Sequence, residues 1–175
     1  MKSSDAAQKI LKSFERYYTI KRPGEDSVDG GQGGFSSITK PFFAEAVFKS
    51  HTEQYFLVKS AKLSESDSAE RVFFYVSENL DMKTLLEIVA AAWREGLSGF
   101  VPYFGHRNTD VTLVIVSDRI EGDAFDAIRK IKHSKSYMMT LKGWSDFRLA
   151  ALETSTMRAT YNRLGKSLKK TVEAI

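Results

Sequence analysis

The segment Tyr103-Phe104-Gly105-His106-Arg107-Asn108 combines aromatic rings with hydrogen-bond donors and leads into the apolar run Val111 to Val116. Ligand pockets are typically lined by this mixture of aromatic groups and a few polar groups. Tyr103, His106 and Arg107 are therefore candidate ligand-binding residues. A second interpretation stays open, in which the aromatic side chains cover the core and the polar groups face water.

The pattern of potential metal ligands and nucleophiles does not indicate catalysis. His51, His106 and His133 each lack a second histidine at a metal-binding spacing, and the chain has no cysteine. No Gly-x-Ser-x-Gly sequence is present to place a nucleophilic serine on a strand-to-helix turn. The sequence favours a non-enzymatic protein, and we predict no catalytic residue, metal site or cofactor.

A basic and aromatic group near the C-terminus could bind nucleic acid, because Trp can stack on a base while Arg and Lys contact phosphates. Its members are Lys142, Trp144, Arg148, Arg158 and Arg163. In the alternative interpretation, Trp144 covers one end of the core and Gly143 gives the backbone freedom to turn.

Charge is distributed unevenly along the chain. The net charge is +4 overall, but residues 127–175 contain 11 Lys and Arg against three acidic residues, a net charge of +8. Such a region predicts either a surface for nucleic acid or another polyanion, or a solvated face that keeps the protein soluble.

Length and composition predict one soluble domain over residues 1–175. The longest apolar runs are far shorter than the ~20 residues that cross a bilayer, and no export signal opens the chain. The absence of cysteine is typical of a reducing compartment. We therefore expect a cytoplasmic protein with no membrane association.

The first half of the chain predicts a helix, a loop and a three-stranded meander. Apolar periodicity favours a helix over residues 5–20, and the Gly, Ser and Asp content of residues 23–41 predicts a flexible loop, either a lid or a plain insertion. Strands are predicted over residues 43–49, 54–63 and 71–77, with a turn at 50–52 and a polar loop at 64–69.

Asp81 is the predicted cap of a helix that runs to residue 95, where Gly96 would supply a left-handed stop. The remaining predicted elements are strands at 111–116, 136–141, 147–153 and 157–161, a short helix at 124–131, and a terminal helix over 164–175 capped by Asn162. The order is α-βββ-αβα-βββ-α.

This order predicts an α/β fold, α+β by a stricter definition. We expect a single mixed, mainly antiparallel sheet of six or seven strands, with residues 111–116 near its middle and helices packed on both sides. The repeated βββα pattern could reflect duplication or simply the small number of ways to pack layers.

The element order over residues 1–117 resembles the restriction-endonuclease-like core. That family holds Mg²⁺ with an Asp and a following Asp/Glu-x-Lys on a strand. Here the strand over 71–76 has no internal carboxylate, and the nearby Asp81-Met82-Lys83 opens a helix. The resemblance therefore implies a nuclease-like fold without the nuclease chemistry.

Three stretches resemble a family of uncharacterised bacterial proteins of about this length: residues 53–62, Gly143-Trp144 and residues 161–166. This resemblance implies a self-contained bacterial domain and assigns no catalytic residue.

Three function hypotheses remain open at this point. The first is a non-enzymatic binding or interaction module of a bacterial cytosol, self-associating through a sheet edge or a helix face. The second is a nucleic-acid-binding domain with a degenerate nuclease-like fold. The third is a small-molecule sensor or enzyme with a pocket under residues 100–109.

Overall fold

The computed structural model describes residues 1–23, 41–55, 62–98, 106–139 and 142–175. The loop predicted over residues 23–41 lies outside the described residues except at its two ends, and so does Tyr103.

The described residues form four α-helices and seven strands in the predicted order, α-βββ-αβα-βββ-α. Their bounds are α1 Ser3–Phe14, β1 Thr19–Lys21, β2 Ala44–Tyr55, β3 Lys62–Leu80, α2 Met82–Leu97, β4 His106–Ile120, α3 Gly122–Ile128, β5 Ser134–Ser136, β6 Trp144–Glu153, β7 Arg158–Tyr161 and, after a 3-10 helix at Gly165–Leu168, α4 Lys169–Val172.

All seven described strands belong to one mixed sheet with the order β1-β2-β3-β4-β6-β5, in which β7 also pairs with β6. The two central pairs, β3 with β4 and β4 with β6, are parallel, and the four other pairs are antiparallel. The predicted α+β fold and the central position of residues 111–116 are confirmed. The two meanders differ in strand order, because β2 lies between β1 and β3 whereas β5 and β7 share one edge of β6. Their strand order therefore gives no sign of duplication.

Helices cover both faces of the sheet, as predicted. On one side, here called the α2 face, α2 and α3 pack over a cluster that includes Phe73, Leu113 and Leu149. On the other, the α1 face, α1 and the C-terminal helices pack over a cluster that includes Phe74 and Val114. Successive residues of a strand point to opposite faces, so over residues 70–76 of β3, 110–116 of β4 and 146–152 of β6 the odd-numbered residues face α2 and the even-numbered residues face α1.

The hairpin of β2 and β3 is longer than the sequence indicates. The predicted turn at residues 50–52 and loop at 64–69 are wrong, because His51 pairs with Asp67 and Thr52 with Ser66 in an antiparallel ladder. These residues are polar, and the sequence therefore lacks the apolar alternation that marks a half-buried strand. Backbone hydrogen bonds define the pairing instead.

Helix α1 ends earlier than predicted, at Phe14, and Thr19–Lys21 form β1. Pairing of this segment with β2 prevails over the apolar periodicity that extended the predicted helix to residue 20. The residue at the N-cap of α1 is Lys2, and its side chain makes no capping hydrogen bond. The carboxylate of Asp118 on β4 instead accepts a hydrogen bond from the Ser3 amide at 2.7 Å.

Helix α2 begins as predicted, with the Asp81 carboxylate accepting a hydrogen bond from the Thr84 amide at 2.7 Å. The predicted left-handed stop at Gly96 is wrong, since Gly96 lies inside the helix and Gly143 is the one described glycine with a positive φ. A Cβ at position 96 would lie 2.5 Å from both γ-carbons of Val111. Glycine is required there because it lets α2 approach β4 closely.

The C-terminal elements are shorter than the sequence suggests. The strand predicted over 136–141 is wrong, because β5 spans Ser134–Ser136 and shares only Ser136 with that range, and Met138 and Met139 follow it with φ of 47° and 51°. The terminal helix is a 3-10 helix followed by α4. Asn162 acts as the predicted cap, because its side-chain oxygen accepts from the Gly165 amide at 2.7 Å.

Candidate ligand cavity

A polar cavity of about 460 Å³ lies on the α1 face, beside the starts of β4 and β6. Strand register brings its walls together, because Glu70 pairs with Asp110 and Asn108 with Trp144 across the parallel ladders. The cavity is lined by Phe48, Ser68, Ala69, Glu70, Asn108, Asp110, Trp144, Asp146 and Arg148.

Glu70 is the centre of the hydrogen-bond network beside the cavity. Its carboxylate accepts from the Tyr18 hydroxyl at 2.7 Å, from the Thr112 hydroxyl at 2.8 Å and from Nη1 of Arg148 at 3.2 Å. These three donors come from different elements: the segment after α1, β4 and β6. The network therefore fixes the end of the α1 layer to the middle of the sheet.

Arg148 joins two carboxylates. Its Nη2 donates to Asp110 at 2.5 Å while Nη1 contacts Glu70. Burial raises the pKa of Asp110, and the positive charge of Arg148 opposes that rise. Asp110 is thus an ionisable group held in a site that is unfavourable for its charge unless a cation is close.

Tyr18 is held as a hydrogen-bond donor. Its ring packs against Phe14 and Phe48, with centroid distances of 5.0 and 5.5 Å. Burial raises the pKa of the Tyr18 hydroxyl, and the neighbouring Glu70 carboxylate raises it further. The hydroxyl therefore keeps its proton at neutral pH and donates a hydrogen bond to Glu70.

The remaining polar wall groups are less constrained. The Ser68 hydroxyl donates to the Asn108 side chain at 2.9 Å. Within the described part of the chain, the Asp146 carboxylate makes no hydrogen bond or ion pair, and it is half-buried beside the half-buried Trp144.

The lining therefore carries three carboxylates and one guanidinium group, and the guanidinium is already paired with two of the carboxylates. Two aromatic rings, Phe48 and Trp144, provide flat apolar walls. This combination favours a positively charged group that can interact with both a carboxylate and a ring face. In the described ranges no group of three His, Cys, Asp or Glu side chains could hold a metal ion.

The structure separates the residues predicted to bind nucleic acid. Trp144 and Arg148 line the cavity, and Lys142 lies in the turn before β6. Arg158 pairs with Glu153, at the end of β6 opposite Trp144, and Arg163 follows β7. The five residues therefore do not form one surface.

Two of the residues predicted to bind a ligand are in a described element. His106 and Arg107 begin β4. Asn108, at the end of the same sequence segment, lines the cavity.

Four residues of the site were not predicted from the sequence: Tyr18, Glu70, Asp110 and Asp146. A usable signal existed, since Glu70 and Asp110 each stand just before the apolar run of a buried strand. That signal points to a site only if the two strands are parallel and in register, because their starts then lie side by side.

The fold and the cavity define an α+β domain with a polar site at the starts of parallel strands. The chain matches the family described as Domain of unknown function (DUF8052) over residues 2–174 and belongs to that family. The predicted resemblance to an uncharacterised family is thereby confirmed.

Neither the curated proteins nor the solved structures contain a match to this chain, and the comparisons give no support to the resemblance with restriction-endonuclease-like nucleases. None of the described helices has both the length and the apolar character needed to span a membrane.

Proposed function

We propose that this domain is a non-enzymatic binding module whose cavity takes a small cationic ligand carrying an amine, a quaternary ammonium or a guanidinium group. The observation that carries the proposal is the Asp146 carboxylate, which is unpaired among the described residues and lies in a cavity already rich in negative charge.

Charge balance supports a cation over an anion. Glu70, Asp110 and Asp146 outnumber Arg148, and the Arg148 guanidinium is held between Glu70 and Asp110. An incoming anion would meet three carboxylates and a single guanidinium group that is already paired with two of them. A cation near Asp110 and Asp146 would be attracted to both carboxylates, and it would lower the cost of keeping Asp110 ionised.

Shape supports a ligand of small-molecule size. A cavity of about 460 Å³ is within the range of roughly 300–1,000 Å³ that is typical of small-molecule sites. Trp144 and Phe48 could each receive a cation on a ring face, an interaction of about 0.5–2 kcal/mol.

The state of the polar groups favours binding over catalysis. Glu70 accepts three hydrogen bonds, and the hydroxyl of Tyr18 has a raised pKa. A general base must be free to accept a proton from its substrate near the working pH. Glu70 and Tyr18 therefore act as supports for the wall rather than as proton carriers.

Thermal shift and fluorescence titration with spermidine, agmatine and choline test the proposal, with citrate and phosphate as anionic comparisons. A bound cation at 100 times its Kd should stabilise the fold by about 2.7 kcal/mol. For a chain of this length, this corresponds to a rise of roughly 5–10 °C in Tm. In Trp93→Phe, Trp144 is the remaining tryptophan, and its emission should change on binding.

Asp146→Asn is the diagnostic variant, and Asp126→Asn, an exposed position on α3, is its matched control. We expect the first to weaken cation binding by at least about tenfold, as for loss of one charged contact, and the second to leave it unchanged. Equal affinity in both variants, or stabilisation by the anions alone, would contradict the proposal.

Nucleic-acid binding is the second candidate function. It is supported by the net charge of +8 over residues 127–175. Self-association and a cytoplasmic location also stay proposals. Sedimentation at several protein concentrations tests self-association, and fractionation of cells that express the tagged chain tests location.

A further inference from the structure

We propose that a surface formed by the end of α3 and by β7 binds the phosphate backbone of nucleic acid, an inference that rests on the second candidate function. The surface, here called the basic corner, is centred on Arg129 and Arg158. Its other cationic members are Lys130, Lys132, Arg163 and Lys166.

Arg129 and Arg158 share one aromatic support. Their guanidinium carbons lie 5.8 and 4.5 Å from the centroid of the Phe125 ring. Phe125 itself is buried, with 5% of its surface exposed, so the two arginines lie over the edge of the core. Because both distances are measured to the same ring, the two guanidinium groups are close neighbours.

Contacts with β7 hold this arrangement in place. Nε of Arg129 donates to the Thr160 hydroxyl at 3.4 Å, and that hydroxyl donates to the Phe125 carbonyl at 3.4 Å. An arginine held against a ring loses less conformational freedom when it binds a phosphate than a freely rotating side chain does.

The two guanidinium groups have no carboxylate partner among the described residues. Glu153 lies opposite Arg158 in the β6–β7 ladder and the Arg158 charge acts on it, but its carboxylate accepts hydrogen bonds from the Ile120 amide at 2.9 Å and from the Thr156 hydroxyl. Asp126 on α3 is exposed and unpaired in the described part of the chain. The corner therefore presents its positive charge to solvent.

Asn162 forms hydrogen bonds with the two basic segments that flank the arginine pair. Its side-chain nitrogen donates to the Ile131 carbonyl at 3.1 Å, between Lys130 and Lys132. Its side-chain oxygen accepts from the Gly165 amide at 2.7 Å, between Arg163 and Lys166. Two basic segments that are separate in sequence thus meet beside β7.

The chemistry favours phosphate as the partner group. A guanidinium binds a phosphate through two parallel N–H groups, and several exposed cations over one surface match the regular charge of a nucleic-acid backbone. Because no base-reading element is required, binding should be independent of sequence. The corner is also distinct from the cavity, since Phe125 belongs to the cluster on the α2 face whereas the cavity lies on the α1 face.

Fluorescence anisotropy with a labelled 20-nucleotide single strand and a 20-base-pair duplex, titrated from ~50 to ~300 mM salt, tests the proposal. We expect binding to the wild-type chain that weakens steeply with salt. Arg129→Gln/Arg158→Gln should lower affinity by about tenfold or more and reduce the log–log salt slope by roughly 2 for duplex.

Lys9→Gln/Lys12→Gln removes the same charge from the exposed side of α1 and is the matched control. It should change affinity less than about threefold. Arg163→Gln/Lys166→Gln provides a second test at exposed positions in case the arginine pair is needed for folding. Arg129→Lys/Arg158→Lys should keep most of the salt slope while losing part of the affinity, because charge is retained and the planar fork is lost.

If the corner variants and the α1 control weaken binding equally, the corner is the wrong surface although nucleic-acid binding stands. If the wild-type chain binds neither nucleic acid at ~50 mM salt, or binds heparin alone, the second candidate function itself fails.

Discussion

Two groups of charged residues lie on opposite faces of the same sheet, and they differ in how completely they are enclosed. On the α2 face, Nε of Arg71 donates to Glu45 at 2.5 Å, and Nη1 of Arg71 donates to the Glu95 carbonyl near the end of α2. The Arg71 and Glu45 side chains are 7% and 1% exposed. On the α1 face, Arg148 joins Glu70 and Asp110, and its side chain is 30% exposed.

Glu70 and Arg71 are consecutive residues of β3, so pleating alone sends them to different faces. The difference between their surroundings comes from the helices. Helix α2 packs closely on β4 and covers the Glu45–Arg71 pair, whereas α1 ends at Phe14 and the cavity lies beside Glu70. The comparison indicates that one ion pair is purely structural, while the other supports a site that has room for a ligand.

The largest expected effect is at the enclosed pair. Glu45→Ala removes the buried carboxylate that accepts from Nε of Arg71, and breaking a buried ion pair in this way typically costs about 3–5 kcal/mol in the free energy of unfolding. Chemical denaturation measures this loss. The double variant Glu45→Leu/Arg71→Met should recover most of it, because replacing both partners with apolar residues removes both buried charges. A loss below about 1 kcal/mol in the single variant would show that the pair is not structurally important.

A smaller effect is expected where α2 closes that face. Gly96→Ala places a Cβ against Val111, and overpacking of this kind typically costs about 1–3 kcal/mol. Gly122→Ala is the matched control, since no atom lies within 4 Å of a Cβ at that position. Similar unfolding midpoints for the two variants would mean that α2 can shift away from β4 at little cost.

The open cluster should be less sensitive than the enclosed one. Arg148→Met removes two ion pairs, with Glu70 and with Asp110, whose shared arginine is partly exposed, so solvent screening reduces the loss to about 1 kcal/mol. Measured under the same denaturation conditions, this loss should be less than half of that for Glu45→Ala. A loss equal to the Glu45→Ala value would show that the cavity-side cluster is as enclosed as the α2-side pair.

The smallest effects are pH-dependent and have opposite signs at two positions of β4. Hydrogen bonds from the Ser3 amide and the Thr154 hydroxyl lower the pKa of Asp118, whereas burial raises the pKa of Asp110. The Asp118 contribution to stability is present above the ordinary value of 3.8 and is lost as pH falls through the lowered pKa. The Asp110 contribution is present below 3.8 and is lost as pH rises through the raised pKa.

Denaturant midpoints measured from pH 2.5 to 7 separate these two contributions. The wild-type chain should gain stability from Asp118 as the pH rises from the acid end, and Asp118→Asn should lack this gain. The wild-type chain should lose stability from Asp110 above pH 3.8, and Asp110→Asn should lack this loss. The same sign of change in both variants would refute the contrast between the two carboxylates.

The sequence predicted the elements whose signals are local. Asp81 caps α2 as expected, the apolar run at 111–116 lies at the centre of the sheet, and Asn162 caps the segment after β7. Prediction from the sequence failed where an element depends on contacts with distant segments of the chain. The polar extension of the β2–β3 hairpin has no apolar alternation, and β1 is strand because β2 pairs with it.

About a third of the residues that line the candidate site could be identified from the sequence. Trp144, Arg148 and the segment that contains Asn108 were singled out, but they were assigned to two different sites. Glu70, Asp110 and Asp146 were not identified, because an isolated carboxylate beside an apolar run is usually a solvated strand end. The sequence also supported one nucleic-acid surface where the structure has Arg148 in an acidic cavity and Arg158 over Phe125.

The amino-acid sequence by itself determined the order of helices and strands, the apolar interior of β3 and β4, and the concentration of positive charge near the C-terminus, because each depends on composition or on short-range periodicity. Only the tertiary structure decided which charged residues meet. A shift of one residue in the pairing of β3, β4 and β6 would move Glu70 or Arg148 to the opposite face, and this register depends on contacts between segments that are far apart in the chain.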